Sequence, residues 1–138
     1  MVHRVRNTRL CLHLQQAARA IARRFDAALR PLVLTNGQFS LLMSLNRREA
    51  ASMSDVSALL AMDRTTLIAN LKPLERRGQV TVSIDDADRR SRRLALTPAG
   101  RASLVAALPV RENHHFAIEA LLTDIDPNRL RADLRALY

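Results

Sequence analysis

A change in apolar periodicity near residue 80 constrains the fold more than any other feature of this sequence. In residues 80–84, Val-Thr-Val-Ser-Ile, every second residue is apolar, which is typical of a half-buried strand. On both sides of this segment apolar residues recur every three or four positions, which indicates amphipathic helices. A polar loop at residues 85–91 precedes a second apolar run at residues 94–96. The sequence therefore predicts a mainly α-helical fold with one small β-hairpin that has a charged tip.

Capping residues recur along the chain and predict where each helix begins. Thr8 or Asn7 is the candidate cap of a helix over residues 8–30, and Thr35 that of a helix through about residue 47. The candidate caps of the later helices are Ser52, Asp63, Thr97 and Asp126. Pro31 should close the first helix, and Gly78 should end the helix that starts at Asp63. Pro73 and Pro109 lie inside predicted helices, so each of these helices is expected to be kinked or broken.

The helices that start at Ser52 and Asp63 are short and are separated only by a turn at residues 61–62. This arrangement is typical of a helix-turn-helix. In the helix that starts at Thr35, Met43 is expected to contribute to the core. In the helix that starts at Ser52, Leu59 is expected to point inward together with Val56 and Leu60. The long apolar helices at the two ends of the chain have stripes that one small domain cannot fully cover, which predicts self-association.

The charge of the chain favours a polyanionic partner. There are 22 lysines and arginines against 13 acidic residues, which gives a net charge of +9. Each phosphate that a basic residue neutralises releases condensed counterions, so such a chain is suited to nucleic acid. We therefore expect double-stranded DNA as a partner, although a basic surface can also serve solubility alone.

Other classes of function find little support in the sequence. His114 and His115 are adjacent and face different directions on a helix, and no further residues stand at a spacing typical of a metal site. There is no glycine-rich phosphate loop, no Ser-His-Asp set and no paired carboxylates, so we expect neither an enzyme nor a bound cofactor.

No segment has the run of about 20 apolar residues that a membrane span needs, and no signal peptide is recognisable, so a cytoplasmic location is expected.

Two motifs resemble the MarR family of winged helix-turn-helix regulators. The first is M-D-R-T-T-L-I-A-N-L-K-P-L-E-R-R-G at residues 62–78, and the second is D-x-R-S-x-x-L-x-L-T-x-x-G at residues 88–100. Their order and spacing are similar to the reading helix and the wing of that family. The resemblance implies a single domain over residues 1–138, with a DNA-binding lobe at about 35–97 and dimerisation helices at 8–30 and 98–138. Ala61 departs from the glycine that many members have in the turn.

The resemblance implies a homodimeric, ligand-responsive repressor that binds a pseudo-palindromic operator. Together with the expected geometry of a helix N-terminus in the major groove, it indicates which residues contact DNA. Arg90 would enter the minor groove, and Asp88 would orient it rather than touch DNA. The expected contacts to bases are Arg64, Thr65, Thr66 and Asn70, and those to phosphates are Ser52, Ser54, Arg89, Arg92 and Arg93. The resemblance also implies a small aromatic or anionic effector between the dimerisation helices and the lobe.

Cys11 is the only cysteine and leaves two interpretations open. It stands where the hydroperoxide-sensing branch of the family has a reactive thiol, which implies a peroxide-sensing regulator. That branch has two tyrosines near the thiol, and Gln15 and Phe25 stand at the matching positions here. The favoured interpretation is therefore a buried and inert cysteine. A winged helix that binds protein rather than DNA is a further alternative, and a steep dependence of binding on salt would argue against it.

Overall fold

A computed structural model describes residues 9–138, and helices account for most of them. The helices are α1 (Leu10–Leu29), a 3-10 helix (Arg30–Leu32), α2 (Asn36–Ser44), α3 (Met53–Leu60), α4 (Arg64–Arg76), α5 (Pro98–Glu119) and α6 (Pro127–Arg135). The strands are β1 (Ala51–Ser52), β2 (Val80–Ile84) and β3 (Arg92–Leu96). We call residues 34–96 the lobe, and α1, α5, α6 and the residues that follow α5 the stem.

The predicted hairpin is present and gains a third strand. β2 and β3 pair antiparallel, with Val82 opposite Leu94. The two-residue strand β1 pairs with the other edge of β3, through Ala51 opposite Leu94. Two residues carry no recognisable alternation, so the sequence did not indicate β1. Its pairing places the start of α3 directly beside the wing.

Side-chain caps begin the helices at the predicted residues. Thr35 and Gln38 form both hydrogen bonds of the capping box. The side chains of the other caps accept a backbone N–H two or three residues later, as predicted for Ser52, Asp63, Thr97 and Asp126. α1 begins at Leu10, while the proposed caps Thr8 and Asn7 lie outside the described residues.

Helix ends agree less closely with the prediction. α2 ends at Ser44 rather than near Arg47, and the Ser44 hydroxyl donates to the carbonyl of Leu41. Such a bond competes with helix continuation. α4 ends as predicted before Gly78, which has a φ of 71°. Both α4 and α5 continue through their internal prolines, so neither helix is broken.

The core lies mainly in the lobe. Twelve of the sixteen buried apolar residues belong to residues 34–94, and Leu41, Leu67 and Leu94 have almost no exposed surface. The start of α5 is fixed to this core at Gly100, where a Cβ would lie 2.1 Å from the carbonyl oxygen of Gln79. Only glycine permits this approach, which explains the glycine of the second motif.

Two predicted core residues are on the surface instead. Leu59 is 72% exposed and Met43 is 42% exposed, so the prediction that they belong to the core was wrong. α3 has only eight residues, and it buries Val56 fully and Leu60 in part. A helix this short covers its neighbours with one narrow stripe, which leaves Leu59 outside it.

The stem buries few of its apolar residues. Its helices α1 and α5 pack against each other and bury Phe25, Leu29, Leu104 and Ala107. Nine large apolar residues of the stem are exposed in a single copy: Leu10, Ile21, Val105, Leu108, Phe116, Leu121, Leu122, Leu137 and Tyr138. Within residues 9–138, no helix combines the length and the apolar character that crossing a bilayer requires.

Candidate nucleic-acid interface

The start of α4 presents three exposed polar side chains on a well-defined cap. Arg64, Thr65 and Thr66 occupy the first turn and are all exposed. The carboxylate of Asp63 accepts the Thr66 backbone N–H at 2.7 Å. This hydrogen bond is the main reason why the pKa of Asp63 lies below its ordinary value. The cap therefore holds the first turn in place without using the side chains of Arg64 or Thr65.

Asp88 organises the tip of the wing through hydrogen bonds. One carboxylate oxygen accepts the backbone N–H of Arg90 at 3.1 Å, and the other accepts the Ser91 hydroxyl at 3.3 Å. The Asp88 carbonyl also accepts the backbone N–H of Ser91. The side chains of Arg89 and Arg90 remain exposed at the tip. Asp88 thus orients the backbone from which Arg90 projects.

Arg93 is tied to the lobe by its own contacts. Its Nε lies 3.3 Å from a carboxylate oxygen of Asp85, and its guanidinium donates to the Ala50 carbonyl at 2.8 Å. Arg92, one residue earlier on β3, lies on the face of the sheet that also carries the buried Leu94. The two arginines therefore project from opposite faces of the same strand.

A small basic cleft joins the start of α4 to the wing. It has a volume of about 180 Å³ and is lined by residues of α3, α4 and the wing: Met53, Ser54, Ser57, Arg64, Arg90, Ser91 and Arg92. Four of the residues proposed from the sequence, Ser54, Arg64, Arg90 and Arg92, therefore meet at one place. Three arginines and three serines form a surface suited to a phosphate or another anion.

The other proposed residues are not part of the lining of this cleft. The Ser52 hydroxyl accepts the Asp55 backbone N–H as the cap of α3. The Asn70 amide donates to the Thr66 carbonyl at 3.0 Å, so it faces the lobe's own backbone. Ser57, which the sequence analysis did not select, lies in the cleft and donates to the Met62 carbonyl. Its position one turn after Ser54 on α3 was the signal that could have found it.

A second cleft, where the stem meets the lobe, was also not predicted. It has a volume of about 370 Å³ and is lined by Phe39, Ser40, Met43, Ser44, Leu59, Leu60 and Arg111. The guanidinium of Arg111 lies 4.5 Å from the ring centre of Phe25 and 4.9 Å from that of Phe39. Its Nε is buried and has no hydrogen-bond partner among the described residues. Burial also lowers the pKa of Arg111.

Arg111 also borders a larger apolar groove between α1, α5 and α6. This groove has a volume of about 530 Å³, and Ile21, Ile118 and Leu130 contribute to its lining. Glu119 lies at the same groove and pairs with Arg131 of α6 and with His115, at 3.1 Å from His115 Nε2. Arg111 is therefore the residue at which the stem groove and the cleft beside the lobe meet.

The expectation that Cys11 is buried was wrong. Its side chain is exposed on α1, one residue after Leu10, which is itself 60% exposed. No group of three or more potential metal ligands occurs among residues 9–138.

Comparisons with known proteins agree with this arrangement. Residues 34–100 match a family model described as a winged helix DNA-binding domain. The transcriptional regulator MosR of M. tuberculosis, solved in complex with DNA, is 36% identical over 94% of this chain and 92% of its own, with a TM-score of 0.81. BpsR of Bordetella bronchiseptica, solved in a study of how 6-hydroxynicotinic acid regulates its DNA binding, is 28% identical over 94% of this chain and 91% of its own, with a TM-score of 0.76.

Among curated proteins, the transcriptional regulator TtmR of Methylorubrum extorquens (strain PA1) is 33% identical over 95 residues. These residues make up 69% of this chain and 49% of TtmR. The chain thus spans about half the length of the curated relatives it matches. These relatives are regulators and not enzymes, in agreement with the sequence analysis. The winged helix match and the likeness to MosR agree with the helix-turn-helix and the wing of this structure. The chain therefore belongs to the MarR family of winged helix transcriptional regulators.

Proposed function

We propose that this protein is a homodimeric, sequence-specific repressor that binds a pseudo-palindromic operator in the cytoplasm. The observation that carries the proposal is the cleft in which Arg64 of α4 and Arg90 and Arg92 of the wing meet. A reading helix and a wing that share one basic surface can bind adjacent grooves of the same duplex.

Within this proposal, each group of residues has a distinct role. Arg64, Thr65 and Thr66 contact base edges in the major groove, since they are exposed at the N-terminus of α4. Arg90 enters the minor groove, where a narrow groove attracts guanidinium groups. Phosphates are bound by Ser52, Ser54, Arg89, Arg92 and Arg93. Arg93 should contribute less than Ser54, because its guanidinium already pairs with Asp85 and donates to the Ala50 carbonyl.

A second copy of the chain would cover the stem. Phe116 and Leu121 are each 60% exposed in one copy, and a soluble protein rarely leaves so many large apolar side chains in water. Two copies joined through their stems would place the two α4 helices on one side of the dimer. The expected separation of the half-sites is about one helical turn of DNA, roughly 34–36 Å.

Selection of DNA by the purified protein tests this function. Duplexes recovered from a random pool should share two inverted half-sites. Binding to the selected duplex should weaken steeply with salt, with a slope of about 0.9 per phosphate contacted. If no sequence is enriched, or if binding is independent of salt, the DNA-binding proposal fails and a protein-binding role is favoured.

We further propose that the cleft at Arg111 binds a small aromatic or anionic effector. A buried guanidinium N–H without a partner is costly, and a carboxylate or another anion would satisfy it. Phe39 and the exposed side chains of Met43 and Leu59 supply apolar surface beside it. The regulation of BpsR by 6-hydroxynicotinic acid supports an effector of this chemistry. An occupant at this place would act on the angle between stem and lobe, and so on the half-site separation.

Thermal unfolding with a series of aromatic carboxylates, beginning with 6-hydroxynicotinic acid, tests the effector site. A bound compound should raise the unfolding temperature and release the operator. Arg111→Met should abolish both responses, whereas the control Arg24→Met, in the stem groove, should retain them. An equal loss in both variants would place the effector in the stem groove instead.

A further inference from the structure

Asn70 differs from the other proposed base contacts because its side chain makes contacts within the protein. Its amide nitrogen donates to the Thr66 carbonyl at 3.0 Å and lies 3.8 Å from the Met62 sulfur. Its amide oxygen lies 3.5 Å from the Thr35 hydroxyl, at the N-terminus of α2. Both ends of the amide thus make contacts within the protein, which turns the side chain toward the first turn of α2.

Gly37, in the first turn of α2, leaves the space that Asn70 occupies. A Cβ at this position would lie 2.7 Å from the amide oxygen of Asn70, 2.9 Å from its nitrogen and 3.0 Å from its Cγ. Glycine is less favourable than alanine in a helix, and Gly37 does not have a positive φ that would require it. Its presence is explained by the seat that it provides for the Asn70 side chain.

The N-terminus of α2 is in turn fixed to the stem. The backbone N–H of Asn36 donates to the carboxylate of Asp26 on α1 at 2.6 Å. Thr35 and Gln38 hold the same turn through the capping box. A continuous series of contacts therefore runs from α1, through the first turn of α2, to Asn70 in the middle of α4.

We propose that Asn70 is a positioning residue that seats the reading helix on Gly37 and so aligns it with the stem. This inference rests on the proposed function, and it replaces the expectation that Asn70 contacts a base. Together with the buried leucines of α4, the seat sets the rotation of this helix about its axis. That rotation determines where Arg64, Thr65 and Thr66 point. Because α2 is anchored on α1, the seat also determines how the reading helix stands relative to a second copy.

Substitutions on the two sides of the seat test the proposal. Asn70→Ala removes the side chain, and Gly37→Ala expels it, so the two variants should have the same defect. Each should weaken binding to the selected operator duplex about tenfold and leave binding to a scrambled duplex unchanged. The double variant should lose no more than either single variant, because the two changes remove one shared contact. Asn46→Ala, which removes another hydrogen-bonded asparagine of the lobe, serves as the matched control and should bind like the wild type.

Several results would overturn the proposal. Full operator affinity in Gly37→Ala with a loss in Asn70→Ala would mean that Asn70 contacts DNA directly. Losses that multiply in the double variant, to about 100-fold, would show two independent effects. Unchanged operator preference in both single variants, with a lower unfolding temperature alone, would reduce the seat to a packing contact. If the wild type itself does not distinguish operator from scrambled duplex, the proposed function fails, whereas coupling between positions 37 and 70 in thermal unfolding would still reveal the seat.

Discussion

Twelve of the sixteen buried apolar residues lie in the lobe, whereas nine of the thirteen exposed large apolar residues lie in the stem. The lobe closes its own core, with helices and a three-stranded sheet around Leu41, Leu67 and Leu94. The stem buries only the parts of α1 and α5 that face the lobe or each other. The lobe therefore folds around its own side chains, whereas the stem leaves apolar surface exposed that the proposed second copy would cover.

The largest expected effect is on self-association, and it should differ between an exposed leucine of the stem and an exposed leucine of the lobe. Leu121 of the stem is 60% exposed and Leu59 of the lobe is 72% exposed in a single copy. Leu121→Asp should weaken self-association at least about 100-fold, because an unpaired charge would be buried between two copies. Leu59→Asp is the matched control and should leave the dimer intact. Sedimentation over a range of concentrations measures both, and a stable dimer in Leu121→Asp would contradict a stem interface at this residue.

The next prediction distinguishes two proposed DNA contacts of the lobe, Arg64 on the reading helix and Arg90 on the wing. Arg64→Ala should lower affinity for the selected operator by about 1–3 kcal/mol and affect scrambled DNA much less, since it removes a contact to a base. Arg90→Ala should weaken both duplexes and reduce the salt slope by about one phosphate per subunit. Titrations at several salt concentrations measure these effects. An unchanged affinity and slope in Arg90→Ala would show that the wing does not contact DNA.

A smaller effect concerns the cap of the reading helix and acid. The pKa of Asp63 in the folded protein is below its ordinary value of 3.8, chiefly because of the hydrogen bond from the Thr66 backbone. The charged carboxylate therefore stabilises the fold above about pH 4, and this contribution is lost as the pH falls through the lowered pKa. Asp63→Asn retains a cap that does not titrate.

Unfolding by urea at neutral and acid pH compares the two proteins. The wild type should lose more of its free energy of unfolding than Asp63→Asn between pH 5 and pH 2. Equal losses in both proteins would mean that the cap does not contribute to the acid sensitivity.

The smallest expected effect is at Cys11. Its thiol is exposed, and Gln15 and Phe25 stand where the peroxide-sensing branch has tyrosines. Cys11→Ser should bind the operator like the wild type, and low peroxide should not release the wild type from DNA. Release of the wild type but not of the variant would establish a redox sensor.

Local signals in the sequence were sufficient for most elements of the lobe. A cap such as Asp63 acts within one turn, and the alternation of residues 80–84 depends only on neighbours along the strand. The exception was β1, since two residues become a strand only when β3 lies beside them. The fold brings four of the proposed DNA contacts to one cleft, because the start of α3, the start of α4 and the wing lie side by side.

The sequence by itself determined the helices and the hairpin through their periodicity and the caps through their residue types, because these depend on contacts a few residues apart. It also placed basic residues at the start of α4 and in the wing. Only the tertiary structure decided that Asn70 lies against Gly37 and that Arg111 lies over two aromatic rings, since these partners are far away in the sequence. The Asn70 side chain on α4 lies against Gly37 on α2, and the Arg111 guanidinium lies over the rings of Phe25 and Phe39. Neither pairing has a periodic signature, because it depends on how helices cross rather than on how each one forms. The exposure of Leu59 has the same origin, as a short helix buries only the stripe that its neighbours can cover.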